Sequence, residues 1–358
     1  LGEYEQGLPV IEKIKIKYPN HKIIVSFFSP SGYEVRKNNT AADATVYLPL
    51  DTVKNAKKFI HLIHPDLVFF IKYEFWYYYL ATAKKKQIPT FLVSAIFRKN
   101  QVFFKAYGGF YRKMLSLYTG ILVQDQQSME LIQPITNIDQ LYITGDTRFD
   151  RVIQNAHTPI SYNWLNRLSQ APIVITGSTW DSDHEILSKV IPYTHANWII
   201  VPHHVDAKSI SECKKAIPNC ITLSEFENIG YTTAQPCILI IDRIGMLRNL
   251  YQYANIAYIG GGFTKDGIHN VLEPAVYGIP VIWGPNDAKY REAIGLKEAG
   301  GGFSIHNASQ LNQLLNTLLN NKEKSIHAGK MAKEFILENA GATNKTMAII
   351  QEKRLLTN

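Results

Sequence analysis

Gly260-Gly261-Gly262-Phe263-Thr264-Lys265-Asp266-Gly267-Ile268-His269-Asn270-Val271-Leu272-Glu273-Pro274 is the stretch whose reading decides the fold. An apolar run, Ile256 to Ile259, enters it. A helix-like segment, Val271 to Tyr277, leaves it, followed by Gly278-Ile279-Pro280 and a second apolar run. That order is strand, glycine loop, helix start, next strand. Three glycines let a backbone approach a ligand closely, and free N–H groups at a helix start favour an anionic group. Glu273, one turn in, is placed to accept hydrogen bonds from sugar hydroxyls. Asn270 and Glu273 also have the spacing of a capping box. Both readings stand on these residues alone.

Working outward, the first 150 residues alternate short apolar, β-rich runs with helical stretches. The runs are Ile23–Phe28, Thr45–Leu48, Leu67–Ile71, Thr90–Ser94, Gly120–Val123 and Leu141–Thr144. The helical stretches are Asp51–Ile63, Phe75–Lys86, Phe103–Ser116 and Gln126–Gln133. Residues 150–170 are polar, contain Pro159 and read as a linker. A second set follows, with strands at Ile173–Thr176, Trp198–Val201, Ile238–Ile241, Ile256–Ile259 and Val281–Trp283. Helices are expected over Asp183–Val190, Ala207–Ala216, Ile244–Tyr253, Asp287–Glu298, Ser309–Asn320 and Lys322–Leu355, the last broken near Gly341. Strands alternating with helices make an α/β protein with parallel sheets. The expected architecture is two Rossmann-like domains, 1–150 and 151–358, with an interdomain cleft.

At 358 residues the chain is long enough for two such domains. It is 46% hydrophobic and 19% charged, a globular composition, without an apolar run of membrane-spanning length or a secretory signal pattern. Cys213, Cys220 and Cys237 are too few for a disulfide framework and wrongly spaced for zinc, which fits a reducing compartment. The net charge is +8, and residues 1–150 hold most of the excess, with 19 Lys and Arg against 13 Asp and Glu. Such an excess suits an anionic partner, or is simply a solvated basic surface. Leu1-Gly2-Glu3 runs at once into an amphipathic helical pattern, Tyr4, Leu8, Ile11, Ile14. A Rossmann-type domain starts on a strand, so the first strand is expected to precede this numbering.

The ordered motifs resemble the Kdo transferase family, GT-B glycosyltransferases that move 3-deoxy-D-manno-oct-2-ulosonic acid (Kdo) from CMP-Kdo onto lipid A precursors. Leu1-Gly2-Glu3 resembles the end of the family's Ser-hydrophobic-Gly-Glu motif, and Ser29-Pro30-Ser31-Gly32 its Thr-Pro-Thr-Gly turn. Glu74-Phe75-Trp76 resembles Glu-Leu-Trp, and Gly145-Asp146-Thr147-Arg148-Phe149-Asp150 resembles Gly-Asn-hydrophobic-Lys-Phe-Asp. Gly177-Ser178-Thr179 resembles Ala-Ser-Thr, and His269 to Pro274 resembles His-Asn-Pro-Leu-Glu-Pro. The resemblance spans nearly the whole chain. There are departures: the family's Arg-His reads His203-His204, its Asn-Ala-Arg-Leu-Ser reads Ser94-Ala95-Ile96-Phe97-Arg98, and the first Glu of Glu-Thr-Glu-Leu-Trp is Lys72.

The resemblance implies an inverting transfer with Glu3 as the general base for the acceptor hydroxyl. By residue type alone, Glu3 is equally a helix-start acid favoured by the macrodipole. The donor would be held by Arg148, Ser178, Thr179, His203, Gly245, Met246, Gly261, Gly262, His269, Asn270 and Glu273. Arg148 supplies a planar cationic fork, His203 a weaker, pH-dependent substitute for the arginine, and Ile244-Gly245-Met246 backbone N–H groups for phosphate or the cytosine edge. Gly245 is also readable as a plain turn glycine. The acceptor would meet Ser31, Gly32, Lys72, Glu74 and Arg98. No carboxylate or His/Cys set has divalent-metal spacing, so a metal-independent reaction without a cofactor is expected.

Lys72 to Tyr79 followed by Lys84-Lys85-Lys86, and Phe103 to Lys113, mix aromatics with lysines. They suit an anionic membrane surface or, equally, a core-facing stripe with a solvated face. No nucleic-acid motif accompanies them. The resemblance places the chain at the cytoplasmic face of the inner membrane, peripheral or N-terminally anchored. Competing readings are a UDP-sugar 2-epimerase-like enzyme and a non-catalytic membrane-associated sugar-nucleotide binder.

Overall fold

The computed structural model describes residues 2–38, 40–136, 140–229 and 233–357. The chain divides into two compact units, Leu1–Arg151 with Asn339–Asn358, and Val152–Glu338.

In the first unit the strands are β1 (Ile24–Phe27), β2 (Ala44–Tyr47), β3 (Val68–Ile71), β4 (Thr90–Ala95), β5 (Gly120–Val123) and β6 (Leu141–Ile143). They form a β1-β2 pair and a β3-β4-β5-β6 sheet, with every pairing parallel. Parallel neighbours need crossovers, which the intervening helices supply. The helix Gly2–Lys17 buries Tyr4, Leu8, Val10 and Ile14. Val10 and Ile14 pack with Phe91, Val93 and Leu122 of the sheet and with Met347, Ile349 and Ile350.

Those last three residues explain a departure from the expected boundary. The sequence reading assigns everything after residue 150 to the second domain, yet Asn339–Asn358 lie with the first unit. The apolar face of the helix Ala342–Glu352 completes the first unit's core. Asp150 fastens its start, accepting from Gly341 N at 2.6 Å, Thr343 N at 2.7 Å and Thr343 Oγ1 at 2.7 Å. A carboxylate at a helix N-terminus satisfies orphan N–H groups and meets the positive end of the dipole. The break expected near Gly341 is present, with that residue at φ 103° between Lys322–Glu338 and Ala342–Glu352. The expected linker is partly helical: Thr147–Ala156 is α-helix and Asn163–Arg167 is 3₁₀.

The second unit is one seven-stranded parallel sheet of β7 (Ile173–Thr179), β8 (Asn197–Pro202), β9 (Cys220–Thr222), β10 (Ile238–Ile240), β11 (Ile256–Ile259), β12 (Val281–Trp283) and β13 (Gly302–Ser304). Its order is β13-β12-β11-β7-β8-β10-β9. The short edge strands β9 and β13 carry too little apolar pattern to announce themselves in sequence. The chain runs from β7 to one side and returns at β11 on the other. The carboxyl ends of β7 and β11 therefore flank the switch point where open α/β sheets bind ligands. Val174, Trp198, Ile200, Ile240, Ile256, Tyr258 and Ile282 form the buried core under them.

The glycines after β11 serve close backbone packing. A Cβ on Gly262 would lie 2.5 Å from Gly284 N and 2.6 Å from Gly284 Cα. Two backbone turns, one after β11 and one after β12, thus touch with no room for a side chain. Gly262→Ala should lower stability by about 1–3 kcal/mol, the usual cost of overpacking. Chemical denaturation should show a lower midpoint at unchanged slope. An unchanged midpoint would mean that the two turns separate freely.

Candidate functional site

At the switch point of the second unit, β7 ends on a register shift between Gly177 and Thr179, and Ser178 takes the left-handed φ of 55°. A non-glycine residue there costs of order 1 kcal/mol or more and persists only when its surroundings hold it. The shift delivers Thr179 and Trp180. Thr179 Oγ1 lies 2.9 Å from His184 Nε2. The Trp180 indole reaches the two histidines expected at the donor site. Its Nε1–H donates to His269 Nε2 at 3.0 Å. The Trp180 and His269 ring planes are within 7° of parallel, and His203 stacks against both, at 4.4 Å from Trp180 and 4.6 Å from His269. His204 stands edge-on to His203 at 4.6 Å. Burial pushes His269 down to about 4, with the facing His203 adding to the effect; burial, then His204, lowers His203.

Beneath this cluster sits Asp183, buried completely. It accepts from Trp180 N at 2.9 Å, Gly261 N at 2.9 Å and Tyr258 Oη at 2.7 Å. Burial raises its pKa, and the three donors oppose the rise. Sequence reading passes over both Trp180 and Asp183. The trace in sequence is an acid four residues after the end of β7, a helix-start spacing that says nothing of Tyr258 or Gly261.

The glycine-loop residues fare differently from the expectation. Gly261 has φ 87°, and its N–H is given to Asp183. Gly262 is against Gly284. The helix that follows is only Leu272–Ala275, and Asn270 Oδ1 accepts from Leu272 N at 3.0 Å. Asn270 therefore caps the residue two positions on, rather than completing the expected box across three. Glu273 lies half-buried on that short helix. The loop after β10 is open: Gly245 has φ 86° with nothing within 4 Å of an added Cβ. Ile244 is 88% exposed. Met246 lines a concavity of about 540 Å³ with Trp164, Arg167 and Arg243.

Arg148 belongs to the first unit, where its guanidinium forks onto the nearly buried Asp146, Nε at 2.9 Å and a second nitrogen at 2.7 Å. Asp146 also accepts from Gln6 Nε2 at 2.8 Å. The pairing is local because Asp146 lies two residues away and accepts Arg148 N as well.

The remaining first-unit candidates follow strand ends. Ser31 and Gly32 lie in the helix Pro30–Arg36 after β1, with Ser31 Oγ 2.7 Å from Ser29 Oγ and Gly32 against the Phe27 ring. Lys72, directly after β3, has φ 66° and its ammonium 5.2 Å from the Tyr73 ring centroid. Arg98 is exposed beyond β4. Glu74 accepts from Trp76 Nε1–H. Its pKa is raised, first by burial and then by the Glu3 charge, against the opposing indole bond. Glu3, at the start of the helix Gly2–Lys17, is thus one of the charges that act on Glu74, three residues past β3.

The aromatic stretches divide. Tyr79 and Phe103 are buried, and Phe75 packs on the same core as Phe103. Tyr107 is 77% and Phe110 53% exposed, beside Tyr78 and Tyr111. Among the described residues no helix is long and apolar enough to cross a membrane, and no group of three His, Cys, Asp or Glu could hold a metal ion.

A carboxyl group whose folded pKa lies above its unfolded value binds its proton more tightly when folded. Its contribution is intact at low pH and is lost as pH rises through the folded value. Glu74→Gln removes that charge and keeps an oxygen for Trp76. The variant should melt above wild type at pH 8, with the difference closing toward pH 4. A wild-type protein that melts higher than the variant at pH 8 contradicts this account of Glu74.

Residues 1–151 match the family model of 3-deoxy-D-manno-octulosonic-acid transferase (kdotransferase). A 3-deoxy-D-manno-octulosonic acid transferase of Aquifex aeolicus is 28% identical over 332 residues, 90% of this chain and 85% of that protein. One of Chlamydia trachomatis is 25% identical over 370 residues, 99% of this chain and 84% of that protein. The UDP-GlcNAc 2-epimerase of Neisseria meningitidis bound to UDP-GlcNAc has a similar structure, TM-score 0.66, covering 98% of this chain and 97% of that one at 14% identity. At that identity the likeness is one of fold alone, the two-Rossmann GT-B fold. Residues 1–151 thus match the 3-deoxy-D-manno-octulosonic-acid transferase family model, and transferases of that name align along almost the whole chain at 25–28% identity.

Proposed function

We propose that this protein transfers Kdo from CMP-Kdo to a lipid A precursor of the lipid IVA type, in lipopolysaccharide biosynthesis, with inversion at the anomeric carbon. The observation that supports the reading is the charge of Glu3 acting on the half-buried Glu74, both within the residues that match the family model. Glu3 takes the proton of an acceptor hydroxyl as its oxygen bonds to the anomeric carbon. The bond from that carbon to the phosphate oxygen breaks, and CMP leaves with the electron pair.

The second unit holds the donor in this reading. His203, His269 and the strained Ser178 stand at its switch point, and Gly245 and Met246 on the open loop after β10. Glu273 would meet the ribose. Lys72, Glu74, Ser31 and Arg98 face the acceptor in the same assignment, and Arg148 acts through Asp146 rather than as a free cation. Exposed Tyr78, Tyr107, Phe110 and Tyr111, with Lys84 to Lys86, Lys105 and Lys113 nearby in sequence, suit the anionic cytoplasmic face of the inner membrane, where the acceptor lipid resides.

Glu3→Gln should keep the fold and CMP binding while turnover falls about 10²–10⁴-fold, the usual contribution of a general base. The mass of a lipid IVA-type acceptor after incubation with CMP-Kdo reads it directly. Near-wild-type turnover in the variant would remove Glu3 from the mechanism, and an unmodified acceptor with the wild-type chain would remove the reaction.

Liposomes containing anionic lipid should co-sediment the protein at low salt and release it as salt rises, since each basic residue near such a surface contributes about 1 kcal/mol that screening removes. Tyr107→Ser with Phe110→Ser should weaken that binding. Equal binding to neutral vesicles at every salt concentration would exclude the electrostatic contribution.

A further inference from the structure

We infer that Trp180 is a positioning residue of the donor site: its indole N–H fixes His269 as the Nδ1–H tautomer, so that a neutral imidazole offers a hydrogen bond to the anionic group of the nucleotide sugar. The inference rests on the donor-site reading above and adds to it a residue outside the motifs.

The geometry is specific. A neutral imidazole has one donor and one acceptor nitrogen, and the bond made by one sets the role of the other. Trp180 Nε1 is a donor only, and it lies 3.0 Å from His269 Nε2. The ring planes are within 7° of parallel, and the indole N–H, which lies in its own ring plane, is directed at Nε2, whose lone pair lies in the imidazole plane. Nε2 is then the acceptor, and the proton sits on Nδ1. A Cβ on Gly261 would lie 3.2 Å from His269 Cδ2 and 3.4 Å from Nε2. The Cδ2–Nε2 edge therefore faces the glycine turn. Nδ1 is the opposite vertex of the ring, and it finds no acceptor among the described residues. His203 covers the seam of the Trp180–His269 pair, stacked on both rings.

The same contacts keep the ring neutral. A proton on Nε2 would set N–H against N–H and break the bond to Trp180. Stacked imidazolium groups would repel. The titratable groups around His269 are His203 on its face, His204 against His203, and Asp183, which binds the N–H of Gly261. With His269 down at about 4, anion binding through Nδ1–H needs no proton uptake at this residue near neutral pH.

The test uses the full chain labelled with ¹⁵N-histidine, with His269→Gln to assign the resonance. In wild type, Nδ1 should read as protonated and Nε2 as unprotonated, without titration from pH 8 to about pH 5. Trp180→Phe keeps a flat ring for His203 and removes the donor. In that variant His269 should populate both tautomers and titrate about one pH unit higher. Its CMP affinity by calorimetry at pH 7.5 should fall about 2–5-fold, the factor by which the Nδ1–H tautomer is diluted. A wild-type Nε2 that carries the proton overturns the inference without any variant. So does an unchanged tautomer and CMP affinity in Trp180→Phe. Wild-type protein that binds no CMP, with the tautomer as stated, overturns the donor-site reading and the role given to Trp180 with it.

Discussion

The donor-side architecture depends on one buried carboxylate. Asp183 is fully enclosed and gathers three donors from three segments: the N–H of Trp180 after β7, the N–H of Gly261 after β11, and the hydroxyl of Tyr258 within β11. A buried carboxylate is costly unless its oxygens are satisfied. Here the satisfied arrangement exists only when the two strand ends and the glycine turn are in place together. The close approach of Gly262 to Gly284 then joins the next turn to the same edge. Everything above Asp183, including the indole–imidazole pair and the stacked His203, inherits its position from that network.

Both units use the same device at a strand's carboxyl end. β4 shifts register between Leu92 and Ala95 with Ser94 at φ 51°, and β7 shifts between Gly177 and Thr179 with Ser178 at φ 55°. A shift of this kind bends the strand and re-aims the residues that follow. In the first unit Ser94 Oγ lies 3.1 Å from Thr147 Oγ1, and Thr147 donates to the Gln6 carbonyl, so the motif around Asp146 is tied to the helix that carries Glu3. Strain of this kind collects where side chains must be aimed rather than merely buried.

The motif Gly145 to Asp150 does structural work at both ends. Asp146 orients Gln6 and clamps Arg148, and Asp150 caps the returning helix Ala342–Glu352. The arginine read from sequence as a cationic fork for the donor is also half of an ion pair, and an acid read as the end of a motif is the reason the C-terminal helix joins the first unit.

The α/β class, the parallel strands and the position of most elements were legible in the sequence, because apolar runs of β-rich residues alternating with helical spacing leave little other choice. Glu74 and His269 could be named because they lie in loops that follow strands, where a parallel sheet presents its functional side chains, and Glu3 because it opens a helix. Tertiary structure decided what depends on partners distant in sequence. The glycines of the loop were read as room for a ligand, but Gly284 and Asp183 occupy that role. Asp183 was invisible because its partners are 75 and 78 residues away. The destination of the C-terminal helix was set by Asp150 across 191 residues. Sequence periodicity reports which face of an element is apolar; only the folded chain decides which other element covers it and which donors meet a buried charge.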